Sequence, residues 1–143
     1  MTIRQSTPAD IHKLSKLWFS LCTEHSPSSH PHTSAWREIQ LNNFRNPNHV
    51  TLVADEGGSL IGFVSFTIEY EPMASKICAS GGHLYVKPEH RGKKIGDSLY
   101  YAAVNEARKR HAQLVSVICF DDAKDLWLHY GYKPVHTIME KEI

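Results

Sequence analysis

Residues 49–70, HVTLVADEGGSLIGFVSFTIEY, constrain the fold of this chain more than any other stretch. Two runs rich in Val, Ile, Phe and Thr flank Glu56-Gly57-Gly58-Ser59, the pattern of an antiparallel hairpin closed by a glycine turn. In the second run Leu60, Val64, Phe66, Ile68 and Tyr70 are assigned to one face. Ser65, Thr67, Glu69 and Glu71 fall on the other, as a period of two requires. The remaining elements are therefore read as additions to a sheet that starts here.

Ahead of the hairpin, TIRQ reads as a short strand and TPAD as a helix start. Thr7 can cap, Pro8 fits the first turn, and Asp10 suits the positive end of the helix. Ile11, Leu14, Trp18 and Leu21 then repeat at helical spacing. EHSPSSHPHTS is a loop by composition, and a second helix is expected from about Ser34 to just before Asn46-Pro47-Asn48. After the hairpin come a loop through Pro72, a fourth strand HLYVK, and a helix with Ile95, Leu99, Ala103 and Ala107 at four-residue steps. QLVSVICF is a continuous apolar run, expected to be a strand covered on both sides. DDAKDLWLHYGY is a short helix stopped by Gly131, and KPVHTIMEKEI is read as one or two final strands. Mixed elements around one sheet, without repeats or a linker, predict a single α/β (α+β) domain over residues 1–143.

The totals narrow the function. A formal net charge of +1 argues against a nucleic-acid binder that works through bulk charge. Lys and Arg nevertheless number five up to residue 71 and eleven beyond it, which directs the search for an anionic ligand to the second half. No apolar run approaches the roughly 20 residues of a spanning helix, and MTIRQSTPAD lacks an apolar signal core, so no membrane association is expected. Three widely spaced cysteines suggest neither a disulfide framework nor a zinc knuckle, in keeping with a cytoplasmic protein. His25, His30 and His32 lack ligand spacing on a regular element, so no metal is expected.

The basic turn HRGKKIGDSLY, residues 90–100, sits where a helix begins directly after a strand. Such a helix start offers unpaired N–H groups and partial positive charge. Gly92 and Gly96 permit close approach to the backbone, and Arg91, Lys93 and Lys94 add full charges. The combination is a phosphate seat, most naturally for a pyrophosphate. Neither a G-x-x-x-x-G-K-[ST] nor a G-x-G-x-x-G pattern is present.

R-G-K-K-I-G resembles the pyrophosphate loop of the GNAT superfamily of N-acetyltransferases, usually R/Q-x-x-G-x-G/A. Lys94 stands where the middle glycine would be. LYVKPEHRGKKIGDSLY and AKDLWLHYGYKP are similar to the family's strand–turn–helix and to its later helix ending in a Gly-aromatic pair. The resemblance implies a three-layer fold with a mixed sheet of six to seven strands, splayed between the fourth and fifth, and about four flanking helices. It implies acetyl-CoA as cosubstrate, with its arm along Leu84, Tyr85 and Val86 and its pyrophosphate on Arg91, Gly92, Lys93, Lys94, Ile95, Gly96 and Asp97. The reaction implied is direct attack by a primary amine on the thioester in a ternary complex, with the carbonyl polarised by a backbone N–H near Val86. His83, Glu69 and Glu71 are the candidate bases.

The family's helix tyrosine is replaced by Trp127, expected to line the cofactor cleft, and Tyr130 is the candidate acid for the departing thiolate. Polyamine, aminoglycoside, amino-acid and protein amines all stand as acceptors, and a homodimer is an arrangement common in the family. The alternative is a non-catalytic acyl-CoA-binding regulatory or interaction module on the same fold.

Overall fold

The computed structural model describes residues 1–26 and 33–143. Its elements run β1 (Thr2–Gln5), α1 (Ile11–His25), α2 (Thr33–Arg45), β2 (His49–Glu56), β3 (Ser59–Glu71), β4 (Lys76–Val86), α3 (Ile95–Lys109), β5 (Leu114–Val117) and α4 (Lys124–His129). The strands form one sheet in the order β1-β2-β3-β4-β5. The first four are antiparallel neighbours, and β5 joins β4 in parallel after the crossover through α3.

Helices cover both faces. On one side α3 presents Ile95, Leu99, Ala103 and Ala107 to Val50, Leu52, Val64 and Phe66. On the other, Leu14, Leu17, Trp18 and Leu21 of α1 pack on Val53, Phe63 and Tyr85. The four-residue apolar steps of the two helices therefore explain both layers.

The hairpin departs from strict alternation at one place. Asp55 pairs with Leu60 while Ala54 pairs with Gly62, so an extra residue, Ile61, bulges out of β3. A bulge reverses the parity of side chains across it. Leu60 consequently joins Phe63 under α1 instead of sharing the face of Val64 and Phe66.

Four expectations about the second half are corrected. The sheet has five strands among the described residues, not six to seven. Residues 133–143 have no regular structure and make no backbone hydrogen bond to a strand among the described residues, and Val135, Ile138 and Met139 stand exposed. A strand exists only by pairing, and Pro134 removes a donor at the start of this segment. β5 is in turn half-buried rather than covered on both sides, because β4 is its sole strand partner among the described residues. β4, conversely, begins at Lys76 and is much longer than HLYVK.

The start of α1 is held by a charge network. Asp10, 4% exposed, accepts the Thr7 N–H at 2.7 Å, completing a capping box in the turn Pro8–Asp10. Arg4 donates to Asp10 Oδ2 at 2.8 Å and to Asp55 Oδ2 at 2.9 Å, tying β1, β2 and α1 together. The Arg4 hydrogen bonds bring the Asp10 carboxyl down from 3.8 to about 2. A depressed carboxyl contributes stability that is complete above its unfolded value and is lost as the pH falls through the folded one. We expect Asp10→Asn to lower unfolding free energy at pH 7 by about 2 kcal/mol, with the gap closing between pH 4 and pH 2 in urea titrations.

Candidate functional site

The site begins where β4 parts from β5. Their last paired residues are Gly82 and Val117, yet β4 continues for four more residues to Val86. His83, Leu84, Tyr85 and Val86 are paired with Ser65, Val64, Phe63 and Gly62 of β3 on one side. On the other side this stretch of backbone has no strand among the described residues. Lys87 N–H donates to Ile61 O, so by the alternation of peptide directions the Val86 carbonyl faces the open edge, where Arg91 Nε donates to it at 2.9 Å. An extended amide-bearing ligand can pair with such an edge as a further strand would.

Beneath the opening lies a narrow apolar cavity lined by Val64, Phe66, Leu84, Tyr100, Trp127 and Tyr132, with His83 at its rim. Trp127 and Tyr132 stand 5.2 Å apart edge to face. The bulky ring of Trp127 thus forms a wall of the cavity.

The turn from Lys87 to Lys94 carries the chain from β4 into α3. Gly92 has φ +78° with open space where a Cβ would sit, and Gly96 is also uncrowded, its nearest neighbour being Val86 at 3.9 Å. Lys94, at the N-cap, adopts φ 61° and ψ 18°. The departure from glycine is therefore one of side chain only, since the backbone takes the left-handed conformation a glycine would take. Successive N–H groups of such a turn converge on an anion, and the residues present fit a diphosphate. Relief of left-handed strain opposes the higher unfolded entropy of glycine. Lys94→Gly should accordingly leave stability unchanged or raise it by up to about 1 kcal/mol, whereas Lys94→Ile should lower it by about 1–2 kcal/mol. Thermal unfolding of the two variants checks both signs.

The cations of the turn are not equivalent. Arg91 forks onto Glu24 of α1, Nη1 to Oε1 at 2.7 Å and Nη2 to Oε2 at 2.8 Å, and its guanidinium lies 5.5 Å from the Tyr85 ring. This pair holds the Glu24 carboxyl below its ordinary value. Lys93 and Lys94 are exposed and make no ion pair among the described residues. Sequence reasoning missed Glu24, because a carboxylate 67 residues away carries no local signal.

The candidate catalytic side chains separate in space. His83 packs its ring edge-on against Trp18 at 4.7 Å. Burial lowers its pKa from 6.5, and the ring bonds to the Gly81 backbone. Glu69 is exposed further along β3 and accepts the Ser80 hydroxyl. Glu71 accepts the Met73 N–H at 2.8 Å. Tyr130 donates its hydroxyl to Asp97 and stacks on Tyr100 at 3.9 Å, and burial followed by the Asp97 bond pushes its pKa well above the ordinary 10. It does not line the cavity, whereas Tyr132, the aromatic of the Gly-aromatic pair, does. Its pKa is likewise raised, by burial first and by Tyr100 second.

Of the loop histidines, His25 ends α1 and stacks on Phe120 at 4.1 Å. His30 and His32 lie outside the described residues. No group of three or more metal-ligating side chains occurs among the described residues.

An open strand edge leading to a helix start with two exposed lysines suits an extended, anionic ligand. Residues 12–132 match the model of the GNAT acetyltransferase family. The chain is 30% identical over 112 residues to an aminoalkylphosphonate N-acetyltransferase of Salmonella typhimurium, covering 76% of this chain and 73% of that protein. The fold is that of a predicted acetyltransferase from Clostridium acetobutylicum solved with acetyl-CoA, with TM-score 0.84 and 17% identity over 99% of this chain and 95% of that one. It is similarly that of a ribosomal-protein-alanine N-acetyltransferase from Brucella melitensis, with TM-score 0.77 and 20% identity over 99% and 98% of the two chains. The chain belongs to the GNAT acetyltransferase family. It is an acyltransferase, and acetyl transfer is its general chemistry. No helix among the described residues is long and apolar enough to cross a membrane.

Proposed function

We propose that this enzyme transfers the acetyl group of acetyl-CoA to a primary amine by direct attack in a ternary complex. The observation that carries the reading is the end of β4–β5 pairing at Gly82 and Val117, which leaves an unpaired β4 edge running from His83 towards the α3 anion seat. Leu84, Tyr85 and Val86 offer that edge to the amides of the pantetheine arm. Residues 91–97 offer N–H groups and lysine charge to the pyrophosphate, and Trp127 walls the cleft. The thioester supplies an activated acetyl group, and an edge N–H near Val86 stabilises charge developing on its carbonyl.

His83 is the base. Burial keeps its ring uncharged at neutral pH, and it lines the cleft. Glu69, exposed and occupied by Ser80, is the weaker candidate. A thiol with a pKa near 8.5 departs readily as thiolate, so the engagement of Tyr130 with Asp97 costs little. Tyr132, which lines the cavity, is the hydroxyl proposed to return a proton.

An aminoalkylphosphonate is the first acceptor to try, because the Salmonella relative is named for that activity. Thiol release from acetyl-CoA should be measured with an aminoalkylphosphonate, a polyamine, an aminoglycoside and an amino-acid amide, beside calorimetry of acetyl-CoA binding. The reading expects turnover with at least one amine. Binding without release on any of them would favour a non-catalytic acyl-CoA module.

A further inference from the structure

The apolar cavity below the cleft runs inward between the sheet and α3. At its upper end stand His83 and Leu84, from the part of β4 that has parted from β5. At its lower end stand Ala79 and Val115, which are still paired across the two strands, and Ala107 from near the end of α3. The space therefore leads from the mouth of the splay into the core layer.

Small residues keep it open. Ala79 and Ala107 are 1% and 2% exposed, and Ala103 lies one helical turn before Ala107 in the same core layer. Gly82 stands at the last β4–β5 pair, where a Cβ would come within 3.1 Å of Val117 Cγ1. Protein interiors are packed as closely as organic crystals, and an unfilled apolar space costs stability. Four residues with at most one side-chain carbon around one space are therefore a feature that packing alone disfavours.

The lining also fixes the kind of guest. It is almost wholly apolar, and the Tyr132 hydroxyl on its wall already bonds to Tyr100. Such a cavity stays dry and takes an apolar group. Its volume is about 30 Å³. A cavity of roughly 150 Å³ holds a benzene ring of six carbons, so this one has room for about one.

Two apolar groups can reach it from the cleft, the acyl tail of the thioester and an alkyl part of the acceptor. The two faces of the sheet decide between them. His83 packs its ring on Trp18 in the layer under α1, so an amine delivered to that ring arrives on the α1 side. The cavity lies on the opposite side, among Ala79, Ala103 and Ala107 under α3. The acyl tail is the group that faces away from the base.

We propose that this cavity is an acyl-chain pocket one carbon deeper than acetyl, so that the enzyme transfers propionyl groups as readily as acetyl groups and excludes longer ones. The inference rests on the proposed placement of acyl-CoA along the β4 edge. The bond changes are those of acetyl transfer. The amine nitrogen bonds to the carbonyl carbon, the C–S bond breaks, coenzyme A leaves as thiolate, and His83 takes the amine proton. Only the tail differs. The methyl of acetyl stops at the mouth, and the further carbon of propionyl enters the pocket, where its burial tightens binding about fourfold. A second further carbon has no room and displaces packed side chains.

The test follows thiol release from acetyl-, propionyl- and butyryl-CoA. The acceptors are (2-aminoethyl)phosphonate, spermidine, kanamycin and glycinamide, and the donors are compared on whichever is acetylated fastest. The kcat/KM for propionyl-CoA should lie between about half and about four times that for acetyl-CoA, and butyryl-CoA should fall about tenfold or more below propionyl-CoA. A propionyl value under half the acetyl value, or a butyryl value within tenfold of the propionyl value, overturns the pocket. Val104, half-buried on α3, lines the same space. Val104→Ala removes two carbons from a helix that favours alanine, and should raise the butyryl-to-acetyl ratio about tenfold. Ala103→Cys adds one heavy atom and should lower the propionyl-to-acetyl ratio about tenfold. Each ratio is read on one sample, so any loss of folded enzyme cancels. If either ratio stays within twofold of the parent's, the acyl tail does not lie here. Failure of the proposed function reads differently. Should no acceptor be acetylated, calorimetry still decides the pocket. Propionyl-CoA bound about fourfold more tightly than acetyl-CoA retains it, and equal affinities remove it.

Discussion

His83→Gln is expected to lower kcat/KM about 10²- to 10⁴-fold at pH 7, the usual contribution of a positioned general base. The sign of the pH dependence follows from burial. A desolvated imidazole resists protonation, so the ring of His83 stays neutral down to a pH below its ordinary 6.5. The parent enzyme should therefore hold its activity through neutrality and lose it along a limb lying below pH 6.5. The variant should lack that limb and regain activity only as the acceptor amine deprotonates near pH 10. Glutamine fills similar space against Trp18, so acetyl-CoA binding should change little. A fall of less than threefold at pH 7 would transfer the role to another group or to solvent. Stability should move with the same protonation. His49 and His83 are both held neutral, so folding is most stable above pH 6.5 and weakens as the pH falls below it.

Local chemistry made much of this molecule legible. TPAD contains its own cap and first-turn proline, and those residues form a 3-10 turn over Pro8–Asp10 that leads directly into α1 at Ile11. Gly92, Gly96 and the lysines mark the anion seat because each acts on the backbone beside it. What stayed hidden depends on partners distant in sequence. The Ile61 bulge, which sends Leu60 to the other face, reflects pairing with β2 and leaves no trace in an apolar run. KPVHTIMEKEI has strand-like composition, yet strand formation needs an edge to pair with, and the segment does not pair. The family pattern made Lys94 look like a defect, whereas its φ of 61° shows that the loop keeps its shape and adds a charge. Arg91 bears the opposite lesson. Its position promised a phosphate ligand, and its guanidinium is already committed to Glu24 and to the Val86 carbonyl.

That commitment ranks the basic residues of the seat. An anion arriving at the start of α3 meets the N–H groups of the turn, the exposed ammonium groups of Lys93 and Lys94, and an arginine whose charge Glu24 already offsets. Lys93→Glu combined with Lys94→Glu replaces two attractions by two repulsions at groups that hold nothing else in place. Acetyl-CoA affinity should fall about 10- to 100-fold at low salt, equivalent to about 1.4–2.7 kcal/mol, with the gap to the parent narrowing as salt screens the exposed charges. Thermal stability should be little altered, because neither lysine is paired. Arg91→Gln should behave differently. It removes the bond to the β4 edge and leaves Glu24 without its partner beside Tyr85, so stability falls, while binding weakens less than in the lysine pair. Isothermal titration at two salt concentrations distinguishes these outcomes. If the lysine reversal leaves affinity intact, the diphosphate does not rest on this helix start. If Arg91→Gln proves the more damaging to binding, the arginine must leave Glu24 for the cofactor, and Glu24→Gln should then tighten acetyl-CoA binding by releasing it.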